Sequence, residues 1–116
     1  MDELSRWMVA IATFGVTFSL PLTLQAKPPE ISYSRGEWQV PAGTCKARFT
    51  DALKKLQFDG VEGLDETSIQ GIKGDYVAMT VCDPITDKVV NYAIIVSGPT
   101  ADEAEKYVDA ISKASE

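Results

Sequence analysis

The stretch IKGDYVAMTVC, residues 72–82, decides the fold. Its Gly74-Asp75 pair is a two-residue hairpin signal with glycine at the first turn position. Residues Tyr76–Cys82, which follow, are rich in the β-branched and aromatic residues that strands favour. A second strand of the same kind is expected at Val89–Ser97, and a weaker one, Glu66–Lys73, precedes the turn. The sequence therefore predicts a three-stranded antiparallel meander.

Two amphipathic helices are predicted around this meander. Thr44 is the expected N-cap of the first helix, and its apolar residues recur at helical spacing: Cys45, Phe49, Ala52, Leu53 and Leu56. The second helix opens with the capping box Thr100–Glu103 and has the apolar stripe Ala104, Tyr107, Val108 and Ile111. The predicted class is α+β: a short N-terminal strand, a helix, the meander and a C-terminal helix, with both helices packed on one sheet face.

The first 43 residues are predicted to precede the domain proper. Residues 1–26 resemble a signal peptide, because the apolar run Trp7–Leu24 is broken by Pro21 and followed by the small Ala26. That run is also just long enough to cross a bilayer, so an uncleaved N-terminal anchor is the alternative. Residues 27–43 are expected to form an extended arm and a short strand at Glu37–Val40, and residues 44–116 a single α+β domain.

Two segments are predicted as loops, Asp59–Gly63 and Asp83–Lys88. If Asp83 lies opposite Lys88, the register of the two best strands follows, and one sheet face becomes strongly apolar. Its central members are Val77, Met79, Val81, Val90, Tyr92 and Ile94. We interpret this set as a candidate interaction face for a partner, a second copy or a small apolar ligand. The alternative is that the helices cover it as the core, which a one-residue change of register would also allow.

The cysteines indicate export. Cys45 and Cys82 both lie after the leader, and two cysteines in an exported domain of this size more often form one disulfide than two free thiols. Leader and disulfide together predict a periplasmic or secreted bacterial protein. Residues 27–116 contain 15 acidic and 10 basic residues, a net charge of −5. Because an acidic surface repels phosphate backbones, nucleic acid is not an expected partner.

Catalytic chemistry has little support in this sequence. The chain contains no His, which removes Ser-His-Asp and Cys-His catalysis and nearly all catalytic zinc sites. No glycine-rich phosphate motif occurs. The remaining candidates are loop carboxylates, which lack calcium-loop spacing: Asp59, Glu62, Asp65, Glu66, Asp83 and Asp87. We interpret them as solvated charges and predict no catalytic residue, metal site or cofactor.

The expected role is therefore a non-catalytic binding or protein-interaction module stabilised by one disulfide. Its contact surface would be the apolar sheet face or the edge strand beside the meander. One alternative is a membrane-tethered accessory subunit held by residues 7–24, which would contact the membrane only if the leader stays uncleaved. The other is a small carboxylate- or metal-dependent hydrolase that uses the loop carboxylates.

Overall fold

A computed structural model of the protein describes residues 28–116, which form one five-stranded antiparallel sheet and two helices. The strands are β1 (Glu30–Trp38), β2 (Asp59–Gly63), β3 (Ser68–Lys73), β4 (Tyr76–Thr86) and β5 (Val89–Gly98). Helix α1 (Ala42–Lys55) follows β1, and helix α2 (Ala101–Ala114) follows β5. The α+β class is confirmed, whereas the predicted signal peptide or anchor lies outside the described residues.

The sheet has five strands rather than the predicted three, in the order β1-β5-β4-β3-β2. The segment expected to be an extended arm contributes β1, which pairs with β5 along all nine of its residues. The strand predicted at Glu37–Val40 overlaps only the end of β1. The residues of β1 on the helix side of the sheet are Glu30, Ser32, Ser34, Gly36 and Trp38, of which only Trp38 is large and apolar. The inward apolar alternation that marks a half-buried strand is therefore missing from the sequence.

Strand β2 corrects the loop predicted at Asp59–Gly63. It pairs with β3, and its register is irregular between Asp59 and Glu62. Val61 is its one apolar residue, and this side chain packs against the core. A segment with two glycines and two acidic residues has low strand propensity, so tertiary pairing rather than local preference forms β2.

The predicted four-residue loop Asp83–Lys88 is also wrong. Strand β4 continues to Thr86, which pairs with Val89, and the register shifts between Pro84 and Thr86. The amide of Cys82 donates to the Thr67 carbonyl (2.8 Å), on the side of β4 away from β5. By alternation, the backbone N–H position of residue 84 also points to that side. Strand β3 does not extend that far, because its last pair with β4 is Ser68–Val81. The N–H that proline lacks would therefore have had no neighbouring strand to donate to, so Pro84 costs the sheet no hydrogen bond.

This longer hairpin changes the β4–β5 register by three residues. Val81 lies opposite Ala93 and Met79 opposite Ile95, rather than opposite Val90 and Tyr92. Because side chains alternate between faces, an odd shift moves every β5 side chain to the other face relative to β4. The turn at Gly74-Asp75 was predicted correctly, since Lys73 pairs with Tyr76 and Gly74 has a positive φ of 61°.

Both helices pack on the sheet face that carries Cys82, and the predicted Cys45–Cys82 disulfide is confirmed. It joins α1 to β4, with a Cα–Cα distance of 6.1 Å. The surrounding core is apolar and includes Phe49, Leu53, Ala78, Val90, Ile94, Val96, Val108 and Ile111. Helix α1 begins at Ala42 after Pro41, so Thr44 is not its N-cap; the Thr44 amide donates to the Pro41 carbonyl (3.0 Å).

The C-terminus of α1 is closed by a Schellman motif. The amide of Gln57 donates to the Lys54 carbonyl and that of Phe58 to the Leu53 carbonyl, both at 2.9 Å. Gln57 takes the left-handed conformation that this motif requires, with φ of 64°. Lys73 adds a cation at the same helix end, because its Nζ donates to the Leu56 carbonyl at 2.6 Å.

Candidate interaction surface

The structure separates the six residues of the predicted interaction face. Val90 and Ile94 are buried beneath the helices, and Tyr92 packs on the same side against the core. These three residues are therefore core and not contact surface, which corrects half of the prediction. Val77, Met79 and Val81 lie on the opposite face. The cause is the three-residue change in register, which sends the two strands' apolar sets to opposite sides.

Tyr92 is held in the core by aromatic neighbours and by a glycine. Its ring centroid lies 4.3 Å from that of Trp38 and 6.0 Å from that of Phe49. Gly36 is its cross-strand partner on β1, and a Cβ atom at Gly36 would lie only 2.8 Å from the Tyr92 hydroxyl oxygen. The aromatic ring thus covers a bare stretch of backbone near the sheet edge.

The opposite face, which we call the open face, is covered by neither helix. The strand registers arrange its side chains in rows across the sheet. The first row is Ile31, Ser97, Val77 and Ile72. The second is Tyr33, Ile95, Met79 and Gln70, the third Arg35, Ala93, Val81 and Ser68, and the fourth Glu37, Asn91 and Asp83. The open face is consequently apolar at one end and charged at the other.

Exposure is greatest at the apolar end. Tyr33 is 65% exposed and Ile31 is 61% exposed, the highest values among the exposed large apolar residues of the described chain. Ile72 and Val77 are 39% and 37% exposed. Single exposed apolar side chains are ordinary, but a contiguous group on one flat face is typical of a binding surface.

The charged end of the open face contains a shallow depression of about 580 Å³. Its floor is low because Ala93 and Val81 are small, and its rim carries Arg35, Glu37, Asp83 and Asn91. One guanidinium and two carboxylates give this end a net negative charge. A partner that covers the whole face would therefore contact apolar side chains at one end and acidic groups at the other.

The loop carboxylates do not converge into a site. Asp65 serves its own loop, because one of its oxygens accepts the amides of Thr67 and Ser68, both at 2.8 Å. These backbone hydrogen bonds hold the pKa of Asp65 below its usual value. Within residues 28–116, no three His, Cys, Asp or Glu side chains lie close enough together to hold a metal ion.

Sequence analysis missed three large members of the open face: Ile31, Tyr33 and Ile95. Two of them lie on β1, where a signal did exist, since Ile31 and Tyr33 alternate with serines in ISYS. The alternation runs opposite to the usual rule, with the large residues facing away from the helices. Ile95 was assigned to the other face by the same register error that misplaced Tyr92.

The fold and this surface define a small two-layer α+β domain that has two helices on one sheet face and exposes the other. No protein-family model matches the chain, and no curated protein is significantly similar to it. No helix of residues 28–116 combines the length and apolar composition needed to cross a membrane.

Proposed function

We propose that the protein is a small exported, non-catalytic interaction module that binds a partner protein through its open face. The observation that carries this proposal is the apolar end of that face, formed by Ile31, Tyr33, Ile72, Val77 and Met79 and covered by neither helix. Burial of such a surface against a partner removes apolar area from water, which is the main driving force of protein association.

Charge defines the chemistry of the partner. Glu37 and Asp83 are exposed in the fourth row, beyond the apolar end, and the protein after its leader is acidic overall. A fitting partner therefore presents apolar side chains flanked by Lys or Arg groups opposite these carboxylates. Such complementarity steers association and sets the orientation of the complex more than its affinity. A partner with an acidic rim would be repelled.

The disulfide and the absence of His support the exported, non-catalytic role. Cys45–Cys82 is the kind of bond that forms in oxidising compartments. With no His in the chain, a general acid or base would have to be a carboxylate, lysine or tyrosine. The candidate carboxylates are all exposed, and they lie on β2, in loops or at the rim of the open face.

Site-specific photo-crosslinking in an exporting host tests the open face. A photoreactive residue at Val77 or Met79 is expected to give a discrete protein adduct, and one at Lys106, on the exposed side of α2, is expected to give none. Mass spectrometry of the adduct identifies the partner, and binding is then reconstituted with the two purified proteins. In that assay Val77→Lys should abolish binding at an unchanged melting temperature. Adducts at Lys106 alone, or binding unaffected by Val77→Lys, would refute the proposal.

The run Trp7–Leu24 supports a tethered form of the same module. In that case the domain is an accessory subunit at a membrane surface, and its open face still contacts the partner. Carbonate extraction of membranes distinguishes the two forms, because a protein cleaved after Ala26 is released and an anchored one is not. The intact mass of the recovered protein locates the cleavage.

A further inference from the structure

The two edges of the sheet differ in how they are protected. Strand β2 is a five-residue edge with an irregular register, whereas β1 is a nine-residue edge paired regularly with β5. Proteins block edge-to-edge pairing with short strands, bulges, Pro and charged side chains, Lys above all. Strand β2 is short and irregular, whereas β1 is neither and contains no Pro or Lys; its charged residues are Glu30, Arg35 and Glu37. Within residues 28–116 no strand pairs with the outer edge of β1, and this long edge is therefore suited to pair with another strand.

The hydrogen-bond pattern shows which residues of β1 face this free edge. Because the Cys82 amide points away from β5, the opposed residues Cys82 and Tyr92 do not bond each other, and the backbone groups of Tyr92 point toward β1. Gly36, opposite Tyr92, then points its backbone groups to β5. By alternation, the N–H and C=O groups that face outward belong to Ile31, Tyr33, Arg35 and Glu37.

We propose that β1 pairs antiparallel with β1 of a second copy of this chain, about a two-fold axis at Ser34, to give a continuous ten-stranded sheet. This register uses all nine residues of β1. Tyr33 lies opposite Arg35 of the second copy, and Ile31 lies opposite Glu37 of the second copy. These are the residues with outward backbone groups, so each opposed pair exchanges two backbone hydrogen bonds.

The side chains favour this occupant and this register. Arg35 comes to lie beside the Tyr33 ring of the second copy, a cation–aromatic pair that forms twice. No like charges lie directly opposite, whereas an axis at Arg35 would place Arg35 against itself. An axis at Tyr33 would leave Glu37 and Trp38 outside the paired length. The pairing also brings Glu37 and Arg35 of the second copy beside Ile31 and Tyr33, the two most exposed of the large apolar residues described.

This edge interface is distinct from the partner site of the proposed function, because it depends on outward backbone groups of β1, whereas Ile72, Val77 and Met79 on β3 and β4 stay exposed on the open face. It would place the two open faces side by side on one sheet. A partner that presents two copies of its own binding segment would then bind more tightly through avidity.

A pair of variants at one position tests the edge. Arg35→Ala keeps the outward N–H and Arg35→Pro removes it, while the inward bonds to β5 stay intact in both. By sedimentation velocity of the protein from an exporting host, we expect the parent to be a dimer. Arg35→Ala should remain dimeric, with a Kd raised less than about tenfold, since the backbone hydrogen bonds persist and only the cation–aromatic pairs are lost. Arg35→Pro should be a monomer with an unchanged circular dichroism spectrum.

A cysteine scan tests the register. With Cys45 and Cys82 already bonded, Ser34→Cys introduces the one free thiol of the described chain. Residue 34 would face its own copy in a non-hydrogen-bonded pair, at a Cα separation of about 4.5 Å that suits a disulfide. We expect a covalent dimer for Ser34→Cys, and none for Tyr33→Cys, whose two copies lie only diagonally opposed.

Failure of this inference is distinguishable from failure of the proposed function. A parent protein that stays monomeric at all concentrations, or an Arg35→Pro variant that stays dimeric, overturns the β1 interface and leaves the open-face crosslinks unaffected. Conversely, Val77 lies on β4, two strands away from β1, so Val77→Lys should leave the dimer intact while it abolishes partner binding.

Discussion

The phenol oxygen of Tyr76 lies 3.0 Å from the Thr100 hydroxyl oxygen and accepts the Thr100 amide at 3.2 Å. This contact completes the N-terminus of α2. The predicted capping box is half formed: the Thr100 hydroxyl accepts the Glu103 amide at 3.4 Å, but the Thr100 amide bonds to Tyr76 and not to the Glu103 carboxylate. The Tyr76 ring also lies against Gly98, where a Cβ atom would have no room. The β3–β4 hairpin thus fixes the start of the last helix.

Removal of this single hydroxyl should loosen α2. Tyr76→Phe keeps the ring over Gly98 and loses both hydrogen bonds, so we expect the free energy of unfolding to fall by about 1 kcal/mol. Hydrogen exchange should speed up in the first turn of α2 before it does so in the sheet. Tyr33→Phe, which removes an exposed hydroxyl from β1, is the matched control and should change neither quantity. Equal losses in the two variants would contradict the assigned role of Tyr76.

Two lysine substitutions test the β4–β5 register. Tyr92→Lys places a charge among Trp38, Phe49 and the disulfide, and should destabilise the protein by about 3 kcal/mol or more. Met79→Lys points to the open face, where the ammonium reaches water, and should cost less than about 1 kcal/mol. Urea denaturation measures both. The register predicted from sequence would place the two side chains on the same face, and comparable losses would support that register instead.

Gln57 offers a stabilising substitution. It is the one non-glycine residue of the described chain with positive φ, and a side chain in that conformation costs about 1 kcal/mol relative to glycine. Gln57→Gly should therefore raise the free energy of unfolding by about 1 kcal/mol, less a small entropic loss in the unfolded chain. Gln39→Gly, at an exposed position without positive φ, controls for that entropy and should destabilise. A loss of stability in Gln57→Gly would contradict the helix-end geometry.

The Asp65 loop should respond to acid. Its carboxylate accepts the Thr67 and Ser68 amides, and these bonds lower its pKa in the folded protein. The corresponding stabilisation is present above the unfolded-state pKa, near 4, and is lost as pH falls through the lower folded-state value. Asp65→Ala should thus be less stable than the parent at pH 7, and the difference should shrink in strong acid.

Thermal unfolding at several pH values measures this difference. Glu66→Ala is the matched control, because neither of those two amides bonds to Glu66, and it should have nearly the parent's stability at pH 7. A difference between Asp65→Ala and the parent that stayed constant down to pH 2 would argue against a role for the ionised carboxylate.

The elements predicted from sequence are those with strong local signals. The Gly74-Asp75 turn and the apolar stripes of both helices follow from spacing within a short window, and the Cys45–Cys82 pair follows from there being only two cysteines in the chain. Strands β1 and β2 do not, because β1 turns serines and glycine toward the helices and β2 has one apolar residue. The partner of β1 is β5, distant in the chain, and β2 pairs with the neighbouring β3 although its own residues have low strand propensity.

The candidate site was half predictable for a related reason. The odd-numbered apolar residues of β4 were identified correctly as a face, but their β5 neighbours depend on where the hairpin turns. Pro84 suggested an early loop, and only the early end of β3 makes a proline acceptable inside β4. The correct register of β4 and β5 therefore depends on where β3 ends. A sequence window across the β4–β5 hairpin does not contain that information.

The pairing of β1 with β5 also governs the order in which the sheet can form during synthesis. During synthesis β1 leaves the ribosome first among the described elements, but its partner is the last strand to appear. Such long-range pairing is intrinsically slow, so both edges of β1 stay unpaired while the rest of the sheet forms. Exposed strand edges of this kind are the usual sites of misassembly and of chaperone capture. An export pathway that delivers this chain unfolded would have to shield residues 30–38 until β5 arrives.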